Sequence, residues 1–375
     1  TGNLDKVENM SLAWRNLLQN KTRLALSISG VALSVTLILL LNGFLDGLYK
    51  QITSYLDYSP GTLVVAQEDV VNLLGATLLM RDGVISQIED VNGVDEVIPI
   101  LSQFVILDLH GKKQPTYMIG YDLDKGGGPW KMFAGREPRT KSEMVFDRVL
   151  ADRHHLQIGD EIKVLGKNFT IVGLSSGTTS WMTSFFFVRK EAAEDLFLAP
   201  EVTSFLFLTT TPGREPANIL QELNKIKDVT ALTKKEVAAN DLKLFAKVFS
   251  APLKLMVGIA FLVGGMIVGL VIYTITVERQ REYGVFKAIG APNRVLYQVV
   301  LTQAMFATTA GTILGVMLAF GFSRLIMTVK QQFLIVIDPS DVGVAFLAGL
   351  GMALIAALFP ARVVADLAPA EVFRK

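Results

Sequence analysis

Residues 253–290 read LKLMVGIAFLVGGMIVGLVIYTITVERQREYGVFKAIG, and this stretch decides the fold. Its first part, 255–277, is uncharged and dotted with glycine, and it is long enough to cross a bilayer, which takes about 20 apolar residues. Its second part, 278–290, mixes charged and aromatic residues and is too polar to remain in lipid. The stretch therefore predicts a membrane helix followed by a water-exposed segment that a partner protein contacts.

Three other stretches share the length and apolar character of the first part, namely 24–45, 295–322 and 342–361. None of the four contains Asp, Glu, Lys, Arg or His, whereas ion-coupled carriers usually need such residues near the midplane of the membrane. This argues against a carrier driven by protons or sodium ions. The first stretch is longer than the apolar core of a signal peptide and no small-residue cleavage site follows it, so we predict a retained anchor.

Composition narrows the class of protein further. The chain has 375 residues, 51% of them hydrophobic, and a mean hydropathy of +0.42, which indicates a membrane protein with a sizeable soluble part. A net charge of +1 without a basic patch argues against nucleic-acid binding. The lack of cysteine excludes disulfides, cysteine nucleophiles and thiolate metal sites. Of the three histidines, the adjacent pair His154 and His155 favours a solvated helix end over a metal site, and we predict no metal.

The orientation of the chain in the membrane follows from the Lys and Arg residues in the short flanks of the apolar stretches. These residues are enriched before the first stretch, between the second and third, and after the fourth. Both chain ends and the 278–294 loop are therefore predicted to be cytoplasmic. The predicted order is an amphipathic cytoplasmic helix at 1–23, the first span at 24–45, an extracytoplasmic domain at 46–252, the second span at 253–277, the cytoplasmic coupling loop at 278–294, the third span at 295–326, an outer loop at 327–341, the fourth span at 342–363 and a cytoplasmic tail at 364–375.

The extracytoplasmic domain is predicted to be a mixed α/β fold, because strand-like and helix-like patterns follow one another along it. A hairpin is predicted within 161–176, with its turn at Lys167 and Asn168. The segments 46–56 and 234–249 are predicted to prolong the first and second spans outward. Other predicted strands lie at 61–67, 97–109, 115–122, 184–189 and 204–211, and predicted helices at 82–91, 191–198 and 215–227.

The segment after the second span reads as a short amphipathic helix that can seat in a groove on a partner. An ordinary surface connector is the alternative, but it would not need Tyr and Phe. The chain has no G-x-x-x-x-G-K-[ST] motif, so an ATPase that drives it must be another chain. The candidate coupling residues are Glu278, Arg279, Arg281, Glu282, Tyr283, Val285, Phe286, Lys287, Ala288, Ile289 and Gly290.

Small residues at a spacing of four recur in two spans, as Gly265 with Gly269 and as Gly311 with Gly315. This spacing lets helix backbones approach closely in lipid. It is equally compatible with a contact in a dimer and with packing inside one chain.

A candidate substrate site lies at the predicted outer ends of the first two spans, where aromatic and sulfur-bearing residues gather. Apolar walls of this kind suit a flat amphipathic ligand that enters sideways from the outer leaflet. Anchoring of the helices at the interface is the alternative. The candidates are Phe44, Leu48, Tyr49, Phe245, Phe249 and Met256, of which Tyr49 and Met256 are the possible axial ligands if the substrate is haem.

Three motifs give the chain a family resemblance. AWRNLLQNKTRLALSISGVALSV, EYGVFKAIGAPNRVLYQVVLTQA and FPARVVADLAPAEVFR resemble the opening, the loop before the third span and the tail of FtsX/MacB-like permeases. Together with the spans and the large first loop, they cover essentially the whole chain. EMVFDRVLADRHHLQIGDEIKV and FTIVGL are similar to the HrtB haem-exporter and DevC glycolipid-exporter subgroups, which the sequence does not separate.

The resemblance implies a type VII ABC transporter permease in a bacterial inner membrane. Such a permease is a homodimer that binds two copies of a separate ATPase, which carries ATP and Mg²⁺, while 278–290 matches the coupling helix. We therefore expect a non-enzymatic subunit of an exporter for a hydrophobic or amphipathic small molecule. The alternatives are an FtsX-like signalling subunit that regulates a cell-wall hydrolase, or a lipoprotein-release permease. Docking of a periplasmic membrane-fusion adaptor stays open.

Overall fold

The computed structural model describes residues 21–73, 78–180, 183–278, 281, 285, 288 and 292–365. The chain divides into two compact units. A helical unit comprises Thr1–Asp46, Ser250–Lys330 and Ile335–Lys375, and an α/β unit comprises Gly47–Phe249 and Gln331–Leu334. The predicted amphipathic helix at 1–23 and the tail at 364–375 lie almost entirely outside the described residues.

The helices, numbered along the chain, include four long ones that are rich in apolar residues. Their bounds are α1 (Lys21–Tyr58), α2 (Ile85–Glu89), α3 (Arg148–His154), α4 (Lys190–Phe197), α5 (Pro216–Leu223), α6 (Lys234–Glu278), α7 (Asn293–Val329) and α8 (Pro339–Ala365). The long α1 and α6 include the predicted extensions 46–56 and 234–249 without a break.

Three stretches of the described helices are long and apolar enough to cross a membrane. They are Ile28–Tyr58 in α1, Lys234–Ile267 in α6 and Ala304–Val329 in α7. The prediction of apolar membrane helices is thus supported for three of them. The helix α8 covers the predicted fourth span, but the count of four spans stays a prediction.

Small residues bring the helices of the helical unit together. Val31 and Val35 of α1 are buried in one cluster with Ala260, Ala304 and Ala345. The hydroxyl group of Thr36 donates a hydrogen bond to the carbonyl oxygen of Gly315 at 3.0 Å. Such close approach of backbones is the usual way in which helices pack where lipid removes the hydrophobic driving force.

The α/β unit is built on a ten-stranded sheet in the order β12-β1-β11-β3-β4-β9-β6-β8-β5, with β7 paired to β8. Most neighbours are antiparallel, whereas β4 with β9 and β6 with β8 are parallel. A separate two-stranded sheet pairs β10 with β2. The strands are β1 (Leu63–Gln67), β2 (Met80–Arg81), β3 (Val94–Leu109), β4 (Lys112–Tyr121), β5 (Met132–Gly135), β6 (Glu143–Asp147), β7 (Glu161–Val164), β8 (Lys167–Ser175), β9 (Ser184–Arg189), β10 (Val202–Thr203), β11 (Phe205–Thr210) and β12 (Val229–Thr233).

The mixed α/β fold predicted for this part of the chain is confirmed, with local corrections. The predicted turn at Lys167 and Asn168 is wrong, because both residues already pair with β7. The chain turns instead at Leu165 and Gly166, both of which have positive φ, as a two-residue hairpin turn of type I′ requires. The strands β2, β5, β6, β10 and β12 were not predicted.

Candidate functional site

The α/β unit contains a cavity of about 300 Å³ between the extensions of two long helices and one face of the sheet. Its walls are mainly apolar and aromatic, with a few polar side chains. The lining residues are Leu48, Gln51, Ile52, Phe104, Tyr117, Ser180, Thr183, Phe185, Asp241, Leu244, Phe245, Val248 and Phe249.

Helical spacing produces the first wall of this cavity. Leu48 and Ile52 are four residues apart in α1, so their side chains lie on the same face. In α6, Leu244 and Val248 repeat this spacing, with Phe245 beside them. The two helices therefore each contribute an apolar stripe to the cavity.

Aromatic contacts order the residues of this wall. The rings of Phe245 and Phe249 are stacked with their centroids 4.5 Å apart. Tyr49 meets Phe245 edge to face at 6.1 Å. Pairs at these distances add stability beyond the area that they bury.

The sheet provides the second wall through a row of three aromatic residues on neighbouring strands. Phe104 of β3 pairs with Tyr117 of β4, and Tyr117 pairs with Phe185 of β9. The ring centroids lie 5.5 Å apart in the first pair and 5.9 Å apart in the second. Residues directly opposite one another on adjacent strands have their side chains on the same face, so the row is continuous.

Polar groups interrupt the apolar surface at a few points. Asp241 of α6 is buried, at 1% exposure, and Gln51 of α1 donates a hydrogen bond to the carbonyl oxygen of Gln332 at 3.0 Å. Ser180 and Thr183 are joined by two hydrogen bonds, one of 2.7 Å from the Ser180 amide to the Thr183 carbonyl oxygen and one of 3.0 Å from the Thr183 amide to the Ser180 hydroxyl oxygen. Apolar walls with a few fixed polar groups are typical of small-molecule sites.

The structure brings together part of the predicted substrate site. Leu48, Phe245 and Phe249 line the cavity, and Tyr49 contacts Phe245. Phe44 and Met256 belong to the helical unit, where Phe44 is half-buried and Met256 is exposed.

The sheet residues Phe104, Tyr117 and Phe185 were missed by sequence reasoning. Their strands were predicted, but nothing in the local pattern indicated that β4 and β9 are parallel neighbours. The available signal was the concentration of aromatic residues within those predicted strands.

Most of the predicted coupling residues lie outside the described positions, namely Arg279, Glu282, Tyr283, Phe286, Lys287, Ile289 and Gly290. Glu278 is the last residue of α6. Arg281, Val285 and Ala288 are helical and exposed. Their spacing of four and three residues places them on one face of a helix.

The two glycine pairs differ in the packing that the structure describes around them. A Cβ atom added at Gly311 would lie 2.5 Å from Cβ of Val31, and one at Gly315 would lie 2.7 Å from the carbonyl oxygen of Ala32. Gly311 and Gly315 therefore pack against α1 of the same chain. Gly265 and Gly269 lie in α6 and are partly exposed.

The paired histidines differ in burial. His155 is exposed and ends α3 in the left-handed region, with φ of 55°. His154 is buried, so the prediction of a solvated helix end is wrong for it. Burial, with Arg153 and Lys112 nearby, lowers the pKa of His154. Among the described residues, no group of three or more His, Asp or Glu side chains is placed to hold a metal ion.

The fold first defines a class: long apolar helices together with a mixed α/β unit indicate a membrane protein with a large domain outside its spans. Comparison with protein families agrees. The FtsX-like permease C-terminal family matches residues 254–369, and the MacB-like periplasmic core domain family matches residues 24–226, more than half of the chain. The chain therefore belongs to the MacB/FtsX-type family of ABC transporter permeases.

Curated relatives are similar over most of their length. A putative hemin transport system permease protein HrtB of Staphylococcus haemolyticus is 23% identical, over 82% of this chain and 83% of that protein. An uncharacterised ABC transporter permease of Mycobacterium tuberculosis is 22% identical, over 82% of this chain and 84% of that protein.

Solved structures that match cover about half of this chain. The periplasmic region of MacB from Actinobacillus actinomycetemcomitans has a TM-score of 0.37 and 12% identity, over 48% of this chain and 92% of that structure. The extracellular domain of the transporter YknZ from Gram-positive bacteria has a TM-score of 0.35 and 13% identity, over 46% of this chain and 100% of that structure.

Proposed function

We propose that this chain is the permease subunit of an ATP-driven exporter whose cargo is a hydrophobic or amphipathic small molecule, such as haem or a lipid. The cavity in the α/β unit is the observation that carries the proposal. Its volume of about 300 Å³ is at the lower end of the range for small-molecule sites.

The wall chemistry favours a flat apolar cargo with a polar edge. The row of Phe104, Tyr117 and Phe185 presents aromatic surface on one side, and the stacked Phe245 and Phe249 do so on the other. A planar ring system would gain both burial of apolar area and aromatic contacts there. The polar side chains at the cavity, such as Gln51 and Thr183, would meet the polar edge.

Haem is the particular cargo that the similarity to proteins named HrtB suggests. The residues present fit the apolar part of such a molecule. Tyr117 is the lining residue with a phenolic oxygen, which is a known type of haem ligand, and Tyr49 lies in contact with Phe245 of the wall. A lipid would use the same apolar walls without needing either hydroxyl group.

ATP is proposed to act through a separate subunit, two copies of which would bind a homodimer of this chain in the inner membrane. Arg281, Val285 and Ala288 support this, because an exposed helical face with an apolar centre is suited to a partner groove. We also propose four spans with both termini in the cytoplasm, α8 being the fourth. A periplasmic adaptor is compatible with this arrangement but is not required by it.

The experiment is hemin binding to the purified chain in nanodiscs, followed by quenching of tryptophan fluorescence. Phe245→Ala, Phe249→Ala and Tyr117→Ala each remove a ring from the cavity, and each should weaken binding by roughly tenfold, the equivalent of 1–2 kcal/mol. Leu198→Ala is the control, because Leu198 is 88% exposed and lies outside the cavity. Equal binding by all three variants and the control would remove the cavity as the cargo site.

The homodimer has its own test, because the native chain contains no cysteine. Single cysteines introduced along α6, at Met266 and Leu270 for example, are exposed in the single chain. We expect at least one of them to form a dimer crosslink in membranes. A complete lack of crosslinks along α6 would contradict a dimer that packs through this helix.

A further inference from the structure

The strand β12 lies at one edge of the ten-stranded sheet, and its sequence favours pairing with another strand. It is the first strand in the order of the sheet and pairs with β1 on its inner side. Its residues, 229–233, read VTALT, with three β-branched side chains and neither a charge nor a proline. A strand of this kind is a template for pairing with another chain when its outward backbone groups are free.

The opposite edge of the sheet is protected by its own strands. It is formed by β5 and β7, each of which is four residues long. A register shift interrupts β5 between Met132 and Ala134, and the exposed Lys163 lies in β7. Short strands, bulges and lysines all discourage the addition of a further strand. Because β12 has no lysine and pairs with β1 without a register shift, protection of its edge must come from other residues.

A side-chain amide occupies the middle of the β12 edge. Asn224, the residue after α5, accepts a hydrogen bond from the Ala231 amide at 2.8 Å and donates one to the Ala231 carbonyl oxygen at 3.1 Å. Ala231 is also the register partner of Val65 in β1. Residue pairs in an antiparallel ladder alternate between hydrogen-bonded and non-hydrogen-bonded, so the backbone groups of Ala231 point away from β1, towards the edge.

The Asn224 side chain therefore takes the place of a neighbouring strand. An added antiparallel strand would exchange two hydrogen bonds with Ala231, one through the amide and one through the carbonyl group. Asn224 makes both of these bonds from within the same chain. A side-chain amide is suited to this role because it contains a donor and an acceptor, whereas an ionised carboxylate only accepts.

The next outward amide of β12 is occupied as well. Thr233 lies two residues after Ala231, so its amide points in the same direction, and it donates to Oε2 of Glu236 at 2.8 Å. The Glu236 amide in turn donates to the hydroxyl oxygen of Thr233 at 3.2 Å. This reciprocal arrangement is a capping box, which begins α6 and also removes a free donor from the edge.

We propose that Asn224 and Glu236 close the β12 edge of the α/β unit to strand addition, with Asn224 as the decisive residue. Without Asn224, β12 of a second copy of this chain would pair with the edge in antiparallel orientation, centred on Ala231 of each copy. The occupant is a second copy because such pairing gives both strands the same environment, as an isologous contact requires. The proposal goes beyond the exporter function and does not depend on it.

The test is a distance measurement by electron spin resonance between nitroxide labels on the full chain, purified in detergent. The label is attached in a Lys227→Cys background, because Lys227 is exposed and the native chain has no cysteine. In pairing centred on Ala231, position 227 lies opposite position 235, so two labels would be about eight residues of strand apart, roughly 27 Å. Asn224→Ala should produce this distance at high protein concentration, whereas the background chain should not.

Hydrogen–deuterium exchange of the same samples shows whether the side-chain contact itself is lost. At low protein concentration, the Ala231 amide should exchange roughly fivefold faster in Asn224→Ala, because it loses one hydrogen bond. Asn218→Ala, at an exposed asparagine of α5, is the control and should change neither measurement. If Asn224→Ala also accelerates exchange throughout β1 and β11, Asn224→Leu decides, because it keeps the volume of the side chain and removes both bonds.

Three results would overturn the proposal. Faster exchange at Ala231 without the expected label distance at any concentration shows that the uncovered edge does not pair. The same distance in the background chain shows that the edge is not closed. Unchanged exchange at Ala231 in the Asn224 variants shows that the side chain does not protect the edge. A homodimer that packs through the spans gives its own distances in every variant, so it does not imitate a difference between them.

Discussion

The α/β unit and the helical unit bury different kinds of side chain. The largest fully buried residues of the α/β unit are aromatic, including Phe146, Phe186 and Phe207. In the helical unit the buried positions are mainly small, such as Ala304 and Ala319, while large apolar residues are exposed. A domain in water gains stability by removing large apolar surface from solvent, whereas helices in lipid gain it by close backbone contact.

This contrast explains why one chain carries both an aromatic cavity and glycine contacts. The row of Phe104, Tyr117 and Phe185 is a continuation of the aromatic packing of the sheet onto its cavity face. Gly311 and Gly315 are the corresponding feature of the helical unit, where a missing side chain is what permits contact with α1.

The removal of one large side chain from each unit should give the largest difference in stability between the two units. Phe186→Ala should destabilise the α/β unit by about 3–5 kcal/mol, because a fully buried ring leaves a cavity. Met317→Ala in α7 should have an effect close to zero in membranes, since Met317 is 67% exposed and lies in a stretch long and apolar enough to cross a membrane, where lipid replaces its contacts. Thermal unfolding in nanodiscs measures both. Similar losses of stability for the two variants would contradict the view that water surrounds the α/β unit and lipid surrounds the helical unit.

The next effect concerns the glycines of α7. Gly311→Ala should destabilise the helical unit by about 1–3 kcal/mol, because the added Cβ atom would lie 2.5 Å from Cβ of Val31. Gly321→Ala in the same helix is the matched control, because nothing lies within 4 Å of its added Cβ atom. Protease resistance of the membrane-embedded chain on heating reports the difference. If both variants behave like the wild type, the packing of α7 on α1 is wrong.

A smaller effect should be seen with pH in the α/β unit. Hydrogen bonds from Arg136, at 2.7 and 2.8 Å, and from the amides of Arg139 and Thr140 lower the pKa of Glu143 to about 2. Because the folded pKa lies below the ordinary value of 4.5, the stabilisation is fully present above pH 4.5 and is lost as the pH falls towards 2.

Glu143→Gln should therefore lower the free energy of unfolding by about 1–2 kcal/mol at neutral pH. Below pH 4.5, the stability of this variant should fall less steeply with decreasing pH than that of the wild type. Glu191→Gln is the control, because the Glu191 side chain is 56% exposed and its ion pair with Arg189 is loose, at 3.6 Å. Denaturant unfolding of the two variants between pH 7 and pH 3 gives the comparison. If the stability of Glu143→Gln falls with decreasing pH as steeply as that of the wild type, ionised Glu143 does not stabilise the fold as described.

The sequence predicts most of what depends on local spacing. Uncharged stretches predicted the long helices. The gathering of aromatic residues at the predicted outer ends of two spans singled out Leu48, Phe245 and Phe249, which the structure places at the cavity. Alternating apolar residues predicted strands such as β3 and β9. The turn at Leu165 and Gly166 was predicted two residues too late, because the adjacent pair Lys167 and Asn168 consists of polar residues, which are common in turns.

Contacts between distant parts of the chain could not be predicted in this way. The parallel pairing of β4 with β9 joins segments that are far apart in sequence, so the row that includes Tyr117 and Phe185 has no local signature. For the same reason, the spacing of Gly311 and Gly315 indicated close packing but not that α1 is the partner.

The measurement that tests the account most directly is ATP-dependent export from proteoliposomes that contain this chain and its ATPase. Hemin and a fluorescent phospholipid are the two probes, and the wild type is compared with the double variant Phe245→Ala/Phe249→Ala. The account predicts ATP-dependent movement of at least one probe by the wild type, reduced roughly tenfold or more in the variant. It is contradicted if neither probe moves although ATP is hydrolysed, a result that favours the signalling alternative, or if the variant exports as well as the wild type.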